Sequence, residues 1–244
     1  RISFSSVELA AAAVSRLLSA RQSPSAIEFL DGSALDLLRR ETTLALPAEA
    51  RALLLLEVAG GSSGLREQAL EMIEELKGFK PLEWSPPVDG SEAATVWAAR
   101  SALSPILKKL APKRINEDVV VPVSRLPLLM AGLAHISAES GIPIVNFGHA
   151  GNGNIHVNLL VDPKDSPTMA RVPGVLDRVF RLVLDLDGSL SGEHGVGTQK
   201  RDHIAWELDE ACLNLQREIK KVFDPMGLLN PGKVWPVHGT RRLS

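Results

Sequence analysis

Apolar residues recur every three or four positions in several stretches of the chain, a pattern that predicts amphipathic helices. In one of them, Leu65, Met72 and Leu76 fall on a single face, and Gly78 follows as a stop signal. The first such stretch has a serine at position 5 or 6 that is suited to cap it. The predicted helices are 7–18, 32–40, 65–77, 93–110, 125–140, 172–186, 201–206 and 210–223.

Short apolar runs between these helices predict strands, at 25–30, 51–58, 82–84, 119–123, 142–146 and 155–161. The glycine-rich segment 60–64 is typical of a flexible connection, and Pro86-Pro87 is typical of a break. The order strand–helix–strand occurs twice and resembles ferredoxin-like split βαβ units. We therefore predict an α+β fold, an antiparallel sheet covered on one face by helices and followed by a helical C-terminal part.

The composition of the 244 residues is that of a globular protein, with 45% apolar residues, 23% charged residues and a net charge of −2. The length allows one large domain or two small ones. Without a basic excess, neither nucleic acid nor an anionic membrane surface is an expected partner. The longest apolar runs are too short for a transmembrane segment. The single Cys212 and the absence of a recognisable signal peptide favour a reduced, cytoplasmic setting.

Two histidines, His149 and His156, flank the dipeptide Asn152-Gly153, which is the strongest short-range signal for a type I′ hairpin. Folding about that dipeptide pairs the two histidines, with Cβ atoms about 4.5–5.5 Å apart on one face. The period of two adds Asn158 to the same face. A surface turn whose histidines bind nothing is the alternative interpretation. The opposed pair favours a divalent metal site.

A second polar cluster, SGEHGVG at 191–197, places Glu193 and His194 among three glycines. Glu193 could complete a His₂Glu ligand set that leaves one coordination position open, and His194 would then be free to act as a base. A flexible linker after the helix stop at Gly188 is the simpler interpretation. A phosphate-binding loop is disfavoured, because the glycine spacing matches neither nucleotide fingerprint.

Arg100 lies in a mostly apolar part of the predicted helix 93–110. A guanidinium in that position could hold a substrate carboxylate through paired hydrogen bonds. Pairing with an acidic residue, or extension to solvent, is the more common situation for such an arginine. Lys200 and Arg201 are expected to form a solvated helix start.

Three motifs together resemble a known family: GHAGNGNIH at 148–156, SGEHGVG at 191–197 followed by Lys200, and DPMGLLNPGK at 224–233. Their order and spacing are similar to those of the C-terminal domain of FAD-linked oxidases related to vanillyl-alcohol oxidase. Within that superfamily, the D-lactate, glycolate and D-2-hydroxyglutarate dehydrogenases are the most similar group. The resemblance covers nearly the whole chain, so it implies one domain over 1–244.

The resemblance also implies roles for individual residues. The family's metal ligands fall on His149, His156 and Glu193, which would hold a divalent ion such as zinc or manganese. The histidine close to the substrate hydroxyl falls on His194.

The family's substrate-contacting residues fall on Arg100, Asn158 and Ser104. Its cofactor is FAD, bound mostly by an N-terminal FAD-binding domain. This chain shows no dinucleotide fingerprint, so we expect it to be a fragment, or a subunit, that lacks the flavin half.

The leading hypothesis is the substrate- and metal-binding domain of an FAD-dependent 2-hydroxy acid dehydrogenase, which would be inactive without its flavin domain. A metal-binding or assembly domain with no activity of its own is the alternative, and a metal-dependent hydrolase is a third. The expected partners are a small 2-hydroxy acid, the FAD-binding domain and a second copy in a homodimer. Peripheral membrane association through an electron acceptor is a further expectation.

Overall fold

The computed structural model describes residues 1–60, 64–85 and 90–236. Pro86, Pro87 and most of the glycine-rich segment 60–64 therefore lie outside the described residues. The strands are β1 (Ile2–Phe4), β2 (Ala26–Asp31), β3 (Ala52–Glu57), β4 (Glu83–Trp84), β5 (Lys113–Val120), β6 (Ile144–His149) and β7 (Asn154–Val161). The helices are α1 (Val7–Ser19), α2 (Gly32–Glu41), α3 (Leu65–Leu76), α4 (Gly90–Leu110), α5 (Leu126–Ser140), α6 (Ser166–Asp185), α7 (Ile204–Glu207) and α8 (Glu210–Phe223).

The described strands form one antiparallel sheet in the order β4-β1-β3-β2-β6-β7-β5. Strands β1 and β2 both pair with β3, so they run parallel to each other with α1 as their crossover. Strands β5 and β6 flank β7 in the same way, with α5 as the crossover. Both units are split βαβ arrangements, which confirms the predicted fold class. Pairing between β2 and β6 joins the two units into one sheet.

Helices cover both faces of the sheet, so the prediction of a single covered face is wrong. On one face, α1, α3, α5 and α6 pack against a core that contains Phe4, Phe29 and Phe180. On the other, α2 and α4 pack against Leu30 and Phe147. The physical reason is the apolar run in β3, which carries buried side chains on both faces and therefore needs cover on both.

Most predicted helix boundaries lie within a few residues of the observed ones. Ser6 caps α1 by accepting a hydrogen bond from the backbone N–H of Leu9 at 3.1 Å. The sequence missed β1, which has only three residues, and most of β5. Polar residues at 113–118 concealed β5, because half of them face the polar site described below. Within the described part of the chain, no helix combines the length and the hydrophobicity needed to cross a membrane.

Candidate active site

The histidine hairpin forms, but with a different turn and register from those predicted. His149 pairs with Asn154, and His156 pairs with Phe147. A short 3₁₀ turn at Ala150–Asn152 replaces the two-residue type I′ turn. Gly153 closes it with a φ of 78°, at a position where an added Cβ would lie 2.0 Å from the carbonyl oxygen of Val121. The register differs from the predicted one by two residues, so both histidines remain on the same face of the sheet.

His149, His156 and Glu193 come together on this face, with one ligand atom from each lying within 4.8 Å of the others. The Oε1 atom of Glu193 is 3.3 Å from Nε2 of His156 and 3.8 Å from Nε2 of His149. The two imidazole rings are 5.5 Å apart between centroids, at an angle of 82°. Two imidazole nitrogens and a carboxylate oxygen at these distances could bind one divalent ion.

Glu28 orients His149, and the sequence did not identify it. Glu28 lies opposite His149 in the β2/β6 pairing, and its Oε1 atom is hydrogen-bonded to Nδ1 of His149. Its Oε2 atom accepts a hydrogen bond from Nε of Arg100 at 2.7 Å. A carboxylate on the remote nitrogen fixes the ring and leaves Nε2 available to a metal. The available signal was a lone acidic residue inside the apolar run of β2.

Arg100 thus pairs with an acidic residue, Glu28, in agreement with the more common situation described for such an arginine. Only its Nε atom takes part in this pairing. Within the described residues, no acceptor is hydrogen-bonded to its two Nη atoms. Its guanidinium carbon lies 4.8 Å from the centre of the Phe147 ring, which places the side chain on the face that carries the histidines. The Nη atoms are therefore available to an anionic ligand.

Burial lowers the pKa of His156 to about 4, because the imidazolium form loses hydration and Glu193 offsets only part of that loss. The side chain of His156 is 9% exposed. Its Nδ1 atom has no hydrogen-bond partner among the described residues. The imidazole is therefore neutral near pH 7, which is the form that coordinates a metal.

His194 lies beside the same three residues. Its ring stacks on that of His156, with centroids 5.2 Å apart and an interplanar angle of 16°. Its Nε2 atom is 3.7 Å from Oε1 of Glu193, and its Nδ1 atom is 3.6 Å from Oδ1 of Asp118. The half-exposed imidazole can therefore meet a substrate bound next to the candidate metal position.

Lys200 is buried rather than solvated, which corrects the expectation for that residue. Its side chain is 3% exposed, and its ammonium group pairs with the fully buried carboxylate of Asp118. Burial would raise the pKa of Asp118, but hydrogen bonds from Lys200 and from the backbone outweigh it and lower that pKa to about 2. Asp118 is therefore a carboxylate at neutral pH. Asp118 was not recognised in the sequence, since most of β5 was missed, and Lys200 was noted there only as part of a motif and as a helix start.

Asn158 and Ser104 meet at Arg114, another residue that the sequence analysis missed. The Nε atom of Arg114 donates to Oδ1 of Asn158 at 2.7 Å, and its Nη1 atom donates to Oγ of Ser104 at 3.0 Å. Asn158 is fully buried and donates through Nδ2 to the carbonyl oxygens of Val145 and His156. Its hydrogen bonds are thus satisfied within the chain, so it orients Arg114 and does not face the open side of the site.

Relatives of known name are similar to nearly the whole of this chain. The glycolate oxidase subunit GlcD of Bacillus subtilis (strain 168) is 32% identical over 242 residues, which are 98% of this chain and 51% of that protein. The probable mitochondrial D-lactate dehydrogenase of Danio rerio is 31% identical over 236 residues, 95% of this chain and 47% of that protein. The chain thus spans about half the length of these relatives.

The fold recurs in p-cresol methylhydroxylase, whose substrate-bound crystal structure is similar with a TM-score of 0.68 at 12% identity, covering 96% of this chain and 51% of that one. At that identity the likeness shows the fold alone. The family model described as "FAD linked oxidases, C-terminal domain" matches residues 1–234. This chain therefore belongs to the family of C-terminal domains of FAD-linked oxidases.

Proposed function

We propose that the chain is the substrate- and metal-binding domain of an FAD-dependent 2-hydroxy acid dehydrogenase or oxidase. Such an enzyme oxidises the 2-hydroxyl of a D-lactate-like or glycolate-like acid to a 2-oxo acid. The observation that carries this proposal is the convergence of His149, His156 and Glu193, with His194 next to them.

The donor set fits a divalent metal such as zinc or manganese. His149 and His156 can each present Nε2, and Glu28 secures the orientation of the first. Two histidines and one carboxylate are a common catalytic set that leaves room for substrate. When bound, the metal would supply Lewis acidity at the substrate hydroxyl, and the flavin would supply the acceptor for the hydride from C2.

This chain's own residues would position the substrate and move its proton. Nε2 of His194 would take the proton of the 2-hydroxyl, since that atom lies 3.7 Å from Oε1 of Glu193, next to the candidate metal position. The free Nη atoms of Arg100 would hold the carboxylate and so determine which face of C2 is presented. Arg114 offers a second positive charge beside Phe147, 5.9 Å from the ring centre.

The names of the relatives support this class of substrate. They include a glycolate oxidase subunit, a probable D-lactate dehydrogenase and a D-2-hydroxyglutarate dehydrogenase. Glycolate, lactate and 2-hydroxyglutarate share a carboxylate next to a hydroxyl-bearing carbon. The candidate metal position matches that shared group, because Arg100 lies beside it, bound to the carboxylate that orients His149.

An FAD-binding domain is the proposed partner, and one surface is suited to contact it. The apolar stripe of α8 and of the segment that follows it consists of large side chains that are 52–80% exposed: Leu215, Ile219, Val222, Phe223, Met226, Leu228 and Leu229. Asp224 fixes the end of the stripe by accepting hydrogen bonds from the N–H groups of Leu228 and Leu229, both at 2.9 Å. A group of exposed large apolar side chains of this kind is typical of an interface. The other half of the relatives' length supplies a candidate occupant.

The deciding experiment uses the full-length protein with His149→Ala. Metal content and 2-hydroxy acid turnover should fall together, while flavin absorbance is retained. Retained turnover without bound metal would overturn the proposal. Arg16→Ala, at an exposed ion pair with Glu75, is the control and should leave metal and turnover unchanged.

A metal-binding or assembly domain without activity is the competing proposal. A preparation of the chain that contains no flavin and shows no turnover, and that regains neither when combined with an FAD-binding domain, would favour it. The homodimer and the cellular location stay predictions.

A further inference from the structure

The segment Gly192–His194 is held by a single carboxylate oxygen. Oδ2 of Asp118 accepts hydrogen bonds from three consecutive backbone N–H groups, those of Gly192, Glu193 and His194, at 2.8, 2.5 and 2.9 Å. These residues belong to no helix or strand. Their backbone direction therefore depends on this acceptor rather than on regular secondary structure.

The same carboxylate also holds the far end of the loop. Nζ of Lys200 pairs with Oδ1 of Asp118 and donates to the carbonyl oxygen of Asp118 at 2.6 Å. The side chains of Asp118 and Lys200 are 0% and 3% exposed. A buried carboxylate without a partner would be strongly unfavourable, so Lys200 balances its charge. Asp118 thus binds the loop at its beginning, 192–194, and at its end.

The position of Asp118 in the sheet relates this loop to the metal ligands. Asp118 lies directly opposite His156 in the β5/β7 pairing, so both side chains project from the same face. Gly192 lies tightly against that face, because an added Cβ would be 1.6 Å from Nδ2 of Asn154. With the backbone held there, Oε1 of Glu193 lies 3.3 Å from Nε2 of His156.

From this geometry we propose that Asp118 and Lys200 are positioning residues that hold Glu193 and His194 against the two histidines of the sheet. The inference rests on the proposed function, in which Glu193 is a metal ligand and His194 the base. Neither Asp118 nor Lys200 touches substrate in this scheme. They act by fixing the backbone of 192–194, which carries Glu193 and His194.

The test is Asp118→Asn in the full-length protein, with Mn²⁺ as the probe. The amide keeps the size of the side chain but removes the charge that pairs with Lys200 and weakens the acceptor for three N–H groups. Mn²⁺ affinity should fall about 10–100-fold, which is typical when a group that orients a ligand is lost. The visible absorption of the Co²⁺-substituted protein should change, because Glu193 no longer reaches the metal.

Asp31→Asn is the matched control. Asp31 is also a buried carboxylate that accepts backbone N–H groups, those of Ala34 and Asn146, both at 2.8 Å, but its partners lie outside the metal site. Asp31→Asn should change the free energy of unfolding, while Mn²⁺ affinity and the Co²⁺ spectrum stay as in the unmodified protein. If Asp118 contributes only to stability, Asp118→Asn will leave Mn²⁺ affinity and the Co²⁺ spectrum unchanged, as Asp31→Asn does. That result would overturn the proposal.

Glu193→Ala separates this proposal from the proposed function. If Glu193→Ala leaves Mn²⁺ binding unchanged, the metal site itself is refuted. If Glu193→Ala weakens binding but Asp118→Asn and Lys200→Gln do not, only the positioning role is refuted. Should Asp118→Asn fail to fold, hydrogen exchange in the unmodified protein decides. Slow exchange at the three N–H groups supports the role, and exchange at the rate of a free loop overturns it.

Discussion

Glu28 and His149 are 121 positions apart in the sequence, yet they lie opposite each other across β2 and β6 and share a hydrogen bond from Oε1 to Nδ1. The pairing joins the two split βαβ units at the point where the candidate metal site lies. The side chain of Glu28 is 5% exposed and also binds Arg100. One buried carboxylate therefore orients both His149, a candidate metal ligand, and Arg100, the residue proposed to hold the substrate carboxylate.

Glu28→Gln should weaken Mn²⁺ binding about 10–100-fold, because the neutral amide no longer fixes the His149 ring through a charged hydrogen bond. It should also reduce stability, since Arg100 loses its buried counter-charge. Isothermal titration with Mn²⁺ measures the first effect. Glu75→Gln, at an exposed ion pair, is the control. Unchanged Mn²⁺ affinity in Glu28→Gln would show that His149 needs no such partner.

The pH dependence of stability should carry a contribution from His156. Its pKa is about 4 in the folded protein, against an ordinary value of 6.5, because it is buried. Between pH 4 and pH 6.5, the His156 imidazole therefore binds a proton in the unfolded chain but not in the folded protein. The free energy of unfolding should therefore fall as pH drops from 6.5 to 4, by on the order of 3 kcal/mol, and the full contribution should be present above pH 6.5.

Urea denaturation of the metal-free protein between pH 4 and pH 7 measures this contribution. His156→Asn should show a weaker dependence than the unmodified protein. His135→Asn replaces an exposed histidine on α5 and should keep the full dependence. Parallel curves for His156→Asn and the unmodified protein would contradict the buried, neutral state of this imidazole.

Arg100→Lys should raise KM for a 2-hydroxy acid about 10–100-fold, because a charged hydrogen bond to the carboxylate is lost. The methyl ester of the same acid has no carboxylate to hold, so its KM should change little. Steady-state kinetics with both substrates gives the comparison. Mn²⁺ affinity should be measured in the same variant. If it is unchanged, the rise in KM comes from the lost contact with the substrate carboxylate and not from a disturbed Glu28. Equal rises in KM for the acid and the ester would show that Arg100 does not hold the carboxylate.

Gly192→Ala should displace the loop that carries Glu193, because the new Cβ would lie 1.6 Å from Nδ2 of Asn154 and 2.9 Å from Cγ2 of Val120. We expect a loss of about 1–3 kcal/mol in stability, as for other overpacked sites, together with weaker Mn²⁺ binding. Gly174→Ala is the matched control: it lies within α6 with no atom within 4 Å of an added Cβ. Thermal unfolding should show Gly174→Ala unchanged or slightly more stable.

Phe223→Asp, in the apolar stripe of α8, should weaken the contact with the proposed FAD-binding domain, because a charge would be buried in that interface. In the full-length protein, limited proteolysis should become faster and flavin should be lost more readily on gel filtration. Leu128→Asp alters an equally apolar but separate surface position on α5, 51% exposed, and should leave both unchanged. Identical behaviour of the two variants would place the domain contact elsewhere.

Local patterns were sufficient to predict much of the architecture. The twofold strand–helix–strand order predicted the split βαβ units, and Ser6 and the 3.6-residue period predicted α1 closely. The alternation of side chains along a strand placed His149, His156 and Asn158 on one face, although the predicted turn was wrong. A two-residue error in register preserves the face, whereas a one-residue error would have reversed it.

The site itself depended on contacts that local patterns do not encode. Glu193 was a candidate ligand by its type, its glycine neighbours and the family resemblance, but its hydrogen bond to Asp118, 75 positions away, could not be predicted from any of these. Lys200 looked like a surface residue because nothing near it in the sequence reveals its buried partner. Arg114 and Asp118 lie on β5, where polar residues facing the site removed the apolar pattern of a strand.

The sequence by itself determined the elements, the face shared by the histidines and the resemblance that names the ligands, because these depend on short-range periodicity and on motifs. Only the tertiary structure decided which groups orient the site residues. Glu28 orients His149, Asp118 orients the loop that carries Glu193, and Asn158 orients Arg114. Those contacts arise when the sheet assembles from strands distant in the sequence and buries their polar side chains. Burial then requires each of these groups to find a partner, wherever in the chain that partner lies.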